Sequence, residues 1–218
     1  MARGFGLIEF VCAIVVLGIA MLLALKGGAL LQNLRAVTTG YQLRQYQAAV
    51  MRYVAENRVM PGDDRYATQR FGREPAFMVQ GGRVISKVGN GVIDGHLSDF
   101  GSARGEQIMA WNDLRSAGMV DGDPSAVGFS ALPENPFGGI FGFDEGNLGQ
   151  TGGSICATEI PGRAAAQIDD RLDDGNPSSG KVLATSRFSV DVGNHFPGPD
   201  NAPYDVEKTY IVCVPALP

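Results

Sequence analysis

Histidine is almost missing from this chain of 218 residues. His96 and His195 are the only two, they stand far apart, and neither has zinc-type spacing to another ligand. No Gly-x-Ser-x-Gly elbow is present to raise a serine nucleophile. Basic residues are scarce beyond residue 60: residues 61–218 carry 12 Lys and Arg against 21 Asp and Glu. That balance excludes the clustered positive charge that nucleic-acid binding needs. Gly175-Asn176-Pro177-Ser178-Ser179-Gly180-Lys181 comes near a phosphate-binding loop, but Val182 stands where Ser or Thr is required. No apolar strand precedes it, and four nearby aspartates would repel phosphate. Nothing points to catalysis, so the expectation is a protein that is not an enzyme and has no organic cofactor.

Charge is also missing from the N-terminus. Phe10 to Leu25 is an unbroken run of apolar residues and glycine, and from Phe5 onward the one charge is Glu9. A helix from Phe5 to Leu25 rises about 30 Å, the thickness of a bilayer core. A cleaved secretory signal would explain the apolar run and Arg3. It does not explain an acid at the start of the run, and no small-x-small cleavage site follows. A simple membrane anchor explains the length but leaves Glu9 as a costly buried charge. After the run, Leu30, Leu34, Val37, Tyr41, Tyr46, Ala49, Val50 and Tyr53 broadly follow a helical stripe, until Pro61-Gly62 ends it. The pattern predicts one helix from about Phe5 to Asn57, apolar all round in its first half and amphipathic in its second. Lys26-Gly27-Gly28 is its expected weak point, since two glycines cost about 2 kcal/mol relative to alanine.

Gly4-Phe5-Gly6-Leu7-Ile8-Glu9 and the apolar run behind it resemble the N-terminus of type IV pilins and of the pseudopilins of type II secretion. The resemblance implies a leader over residues 1–4, cleavage by a prepilin peptidase between Gly4 and Phe5, and N-methylation of Phe5. It implies residues 5–28 as a transmembrane and filament-core helix and 29–218 as a globular head. Glu9 falls on the glutamate that in this family is thought to neutralise an N-terminal amine as subunits join. Gly6 departs from the family's usual threonine, and Lys26 stands where many members have proline. Pro61-Gly62-Asp63-Asp64, the turn Gly89–Gly95 and the stretch Leu172–Val182 are ordered as in the family. The implied protein is a structural subunit of a pilus or secretion pseudopilus, anchored in a bacterial inner membrane with a periplasmic head before assembly. Its implied partners are copies of itself, other pilins, the peptidase, the inner-membrane assembly platform and membrane lipid. A membrane-anchored adhesin or binding protein, at a filament tip or acting singly, is the alternative, and an anchored periplasmic enzyme a more distant one.

The expected fold class is α+β, with a small antiparallel sheet laid on the amphipathic half of the long helix and a loop-rich head. Glu106 to Ala117 reads as a packing helix around Trp111, ended by Gly118. Val182–Ala184, Ser186–Val190 and Tyr210–Val214 read as strands. Cys12 reads as a packing residue of the apolar helix. An extracytoplasmic head implies that Cys156 and Cys213 pair. Closing a loop of roughly 58 residues would stabilise the fold by about 4 kcal/mol. Acidic residues in glycine-rich turns, among them Asn90, Asp94, Asp173 and Asp174, are candidate calcium ligands, with an ordinary solvated turn as the other reading.

Overall fold

A computed structural model describes residues 6–72, 78–80, 83–85, 88–97, 104–146, 148–150, 152–187 and 198–217; for residues 22–26, 78–80 and 83–85 it describes the backbone alone. The chain is α+β. Helix α1, Leu7–Asn57, has 51 residues, about 77 Å at 1.5 Å per residue. It runs through Gly27 and Gly28 without interruption, because helix propagation is cooperative and long flanks carry a weak pair of residues. It ends where the sequence predicts. Arg58 turns left-handed at φ 61° and its N–H bonds to the Val54 carbonyl. Among the described residues no helix is long and apolar enough to cross a membrane. The described apolar side chains of the first half run from Leu7 to Met21, about 22 Å of helix. The span expected over residues 5–28 also includes residue 5 and the side chains of 22–26, which lie outside the described ones.

After α1 come the short helix α2, Ala67–Phe71, a hairpin of β1, Met78–Gln80, and β2, Arg83–Ile85, and helix α3, Glu106–Ser116. Then follow β3, Phe141–Asp144, β4, Ser154–Pro161, helix α4, Gly162–Leu172, β5, Leu183–Thr185, and β6, Thr209–Pro215. The four later strands form one antiparallel sheet in the order β3-β4-β6-β5. The strand expected over Ser186–Val190 is not formed at its described start. The Asp200 carboxylate takes the Ser186 N–H and hydroxyl and pairs with Arg187, which folds that stretch into a turn; residues 188–190 lie outside the described ones. Helix α4 has no counterpart in the sequence-based expectation. Its signal was present in Ala164, Ala165 and Ile168, which share its buried face.

One face of the sheet packs on α1. Tyr46 of α1 sits edge-on between Trp111 of α3 and Phe141 of β3, with ring centroids 4.8 and 5.1 Å away. Leu43, Val50 and Tyr53, on the same side of α1, are fully buried. α4 crosses α1 at Gly40, beside Ile168 and Leu172. Trp111 is a core residue, as expected for a packing helix. Cys156 and Cys213 stand directly opposite each other on β4 and β6 and are joined by a disulfide. The bridge ties the last strand to the middle of the sheet.

Outside the β1–β2 hairpin, the described loops between α1 and α3 are held by buried carboxylates. Asp63 accepts the backbone N–H groups of Gly89, Asn90 and Gly91. Asp64 accepts the Tyr53 hydroxyl, the Tyr66 N–H and Arg70. Asp113 of α3 accepts the Gly62 N–H at 2.6 Å, Glu106 the Asp94 N–H at 2.8 Å, and Asp144 the Leu97 N–H at 3.0 Å. Gly62 is obligatory here: its φ is +82°, and a Cβ would stand 2.2 Å from the Glu106 carbonyl oxygen.

Two outcomes test this account. Asp63→Ala strands three amides, so unfolding in urea should show a loss of about 3 kcal/mol or more. For the disulfide, intact-mass measurement after unfolding and alkylation without reductant should find one modified thiol, that of Cys12. Three modified thiols would show the bridge to be absent.

Candidate functional site: an exposed apolar helix and its glutamate

Among the described residues, the first part of α1, to Met21, is not packed against the head. Leu7 is 85% exposed, Ile8 75% and Phe10 63%, and from Gly6 to Met21 every residue is exposed, on all sides of the helix. The exposed apolar surface continues past Gly28 as a stripe. Leu30, Leu34, Val37 and Tyr41 recur at spacings of four, three and four, on positions distinct from the Ala36, Thr39, Leu43 and Val50 that face the head. Isolated soluble domains rarely present a contiguous apolar patch beyond a few hundred Å². A whole helix of such surface needs an apolar environment, either lipid or other helices.

Glu9 lies in the first turn of this helix. The Gly6 N–H donates to its Oε2 at 2.9 Å, with Gly6 as the extended N-cap. This is half of a capping box; glycine has no side-chain oxygen to return the bond. The carboxylate also sits at the positive end of the helix dipole. The Gly-x-x-Glu spacing carries this signal in the sequence, beside the charge-partner role that the resemblance implies for Glu9. Gly4 and Phe5, the expected cleavage site, lie outside the described residues. Cys12 is a free thiol on the exposed apolar surface.

Of the candidate calcium ligands, the structure brings Asp173 and Asp174 together with Asp169, their carboxylate oxygens within 4.8 Å of one another. These three are the acidic group among the described residues that could meet at one ion. They offer three side-chain oxygens where calcium takes six to eight, and each already accepts hydrogen bonds. Asp173 takes the N–H groups of Lys181 and Val182. Asp174 takes the Asn176 N–H and the Ser179 hydroxyl. Asp169 takes the Gly175 N–H and the Tyr204 hydroxyl. The cluster folds the turn before β5 onto the end of α4. Asn90 and Asp94 belong to a different loop, where the Asn90 amide donates to Asp94 at 2.8 Å.

Burial pushes the Asp169 carboxyl above its ordinary range. Its two hydrogen bonds oppose the shift, and the charges of Asp174 and Asp173 add to it. The Ser179 hydroxyl and Asn176 amide hold Asp174 below its range. A raised carboxyl in the folded state binds its proton more tightly than in the unfolded chain, so its ionisation costs stability above that range and the cost vanishes below it. The parent should therefore gain stability relative to Asp169→Asn as pH falls from neutral through the carboxylate range. Urea midpoints of both proteins at several pH values measure this, and a pH-independent difference would contradict the assignment.

Compared with known proteins, the chain matches no family model, no curated protein and no solved structure.

Proposed function

We propose that this protein is the structural subunit of a filament of the type IV pilus or type II secretion pseudopilus kind. The observation that carries the reading is the disposition of α1. Its second half is built into the head, and its first half, as far as Met21, is an all-round apolar helix exposed on every side, with no partner among the described residues. A binding domain or enzyme needs only an anchor. A filament subunit needs a helix whose sides can leave lipid and pack against other helices, and the stripe Leu30–Leu34–Val37–Tyr41 extends that surface alongside the head. In this reading residues 1–4 are a leader removed by a prepilin peptidase and Phe5 becomes the methylated N-terminus. The apolar half is held in the inner membrane with the head in the periplasm until an assembly platform adds the subunit to the filament. The Cys156–Cys213 disulfide accords with an oxidising compartment for the head.

Glu9 has two separable roles in this reading, capping its own helix and offering a charge to an amine in an apolar setting. Replacing Gly4 by a bulky residue should leave full-length precursor on a gel; normal processing would remove the prepilin assignment. Glu9→Ala should insert in the membrane and be cleaved, yet fail to enter filaments when it is the sole copy. Glu9→Gln keeps an oxygen that can accept the Gly6 N–H but loses the charge, so it should fail nearly as badly, while Glu9→Asp should be intermediate. Filaments assembled normally from Glu9→Gln would reduce Glu9 to a helix cap.

A further inference from the structure

The outer face of the sheet, turned away from α1, carries a cavity of about 350 Å³, at the lower end of the range of small-ligand sites. Its walls include Leu97, Ile140 and Ile211, all buried or nearly so. Most polar side chains around it are already engaged. The Thr158 hydroxyl takes the Ile140 N–H, the Thr185 hydroxyl takes the Arg187 N–H, and the Ser186 hydroxyl donates to Asp200.

Glu159 is the exception. Among the described residues it is the one charged residue lining the cavity, it is exposed, and its carboxylate has no partner there. Its backbone is unusual as well. Among the described residues only Arg58 and Glu159 have positive φ without being glycine, and Arg58 ends a helix. Glu159 has φ 57° within a strand, at a register shift of β4 against β6 between Ala157 and Ile160. Thr158 is clamped on both sides of the chain: its N–H bonds the Ile140 carbonyl at 3.0 Å, and its own carbonyl accepts the Asn135 amide at 2.7 Å. The clamp fixes the bulge, and the bulge places a carboxylate at the cavity. Bulges commonly re-aim side chains at binding sites, and non-glycine residues in this backbone region gather where a site needs them.

We propose that this cavity binds a small organic cation, an ammonium carried on an aromatic or branched apolar body. The body fills the space against Leu97, Ile140 and Ile211, and the ammonium pairs with Glu159. The net negative charge of residues 61–218 favours the same sign of ligand. The proposal is independent of the filament reading, and its failure would leave that reading intact.

The test is a titration of full-length, isoleucine-methyl-labelled protein in detergent micelles with benzylammonium, benzyl alcohol and benzoate. Saturable shifts are expected at the Ile140 and Ile211 methyls. Benzylammonium should bind about fivefold tighter than benzyl alcohol, the factor of an exposed ion pair, with benzoate weakest. Ile8 and Ile14 on the apolar helix report partition of the probes into detergent. Glu159→Gln keeps the cavity and should bring benzylammonium down to the affinity of the alcohol. Glu159→Gly adopts the same backbone without strain and should lose the preference while folding normally. No saturable shift at Ile140 and Ile211, equal binding of the three probes, or undiminished binding by Glu159→Gln would each overturn the proposal.

Discussion

Buried carboxylates that accept backbone amides hold this head together. Strands cover little of it, and between α1 and α3 the chain turns repeatedly through glycines whose N–H groups would otherwise be stranded. A buried amide without a partner costs about as much as a lost hydrogen bond. Asp63, Asp64, Asp113, Glu106 and Asp144 supply acceptors with two oxygens each, so one side chain can gather several amides. The acids therefore act as small, portable stand-ins for a sheet edge. They also bind the loops to α1 and α3, since Asp64 holds Tyr53 and Asp113 lies on α3 itself.

That arrangement lets one helix belong to two environments. The head grips α1 along a narrow line from Ala36 to Tyr53 and leaves the rest of its circumference open. Tyr46, between Trp111 and Phe141, is the centre of the grip. Beyond it the helix carries apolar surface far in excess of what the head can cover. The excess runs from Leu7 to Met21 and resumes from Leu30 to Tyr41, and the helix backbone passes the glycines at 27 and 28 intact.

The two faces of the sheet are treated differently. The inner face is closed by large aromatic and aliphatic side chains against α1. The outer face bears the disulfide between β4 and β6 and, further along, the cavity at Glu159. A covalent tie and a hydrogen-bonded bulge brace that face, and Leu97 packs onto it at Gly142.

The long helix, its end near Asn57, the packing helix around Trp111 and the strand that carries Cys213 were legible in the sequence, because each rests on local periodicity or a local stop signal. The pairing of Cys156 with Cys213 was legible only through the compartment that the resemblance implied. Tertiary structure alone decided the rest. The α4 helix was hidden because its apolar positions are mostly alanines, a weak periodic signal. Nothing local shows that the Asp63 and Asp64 carboxylates reach amides more than twenty residues away or a tyrosine eleven residues back. Asp169, Asp170, Asp173 and Asp174 form one acidic stretch in the sequence, but which of them meet, Asp169 with Asp173 and Asp174, is decided by the fold. Glu159 gives no local sign of its position, because a left-handed residue inside a strand is imposed by the bonds on Thr158 from the distant turn that holds Asn135 and Ile140. Periodicity records what a segment buries, whereas the partners of a single polar group depend on where the chain comes back.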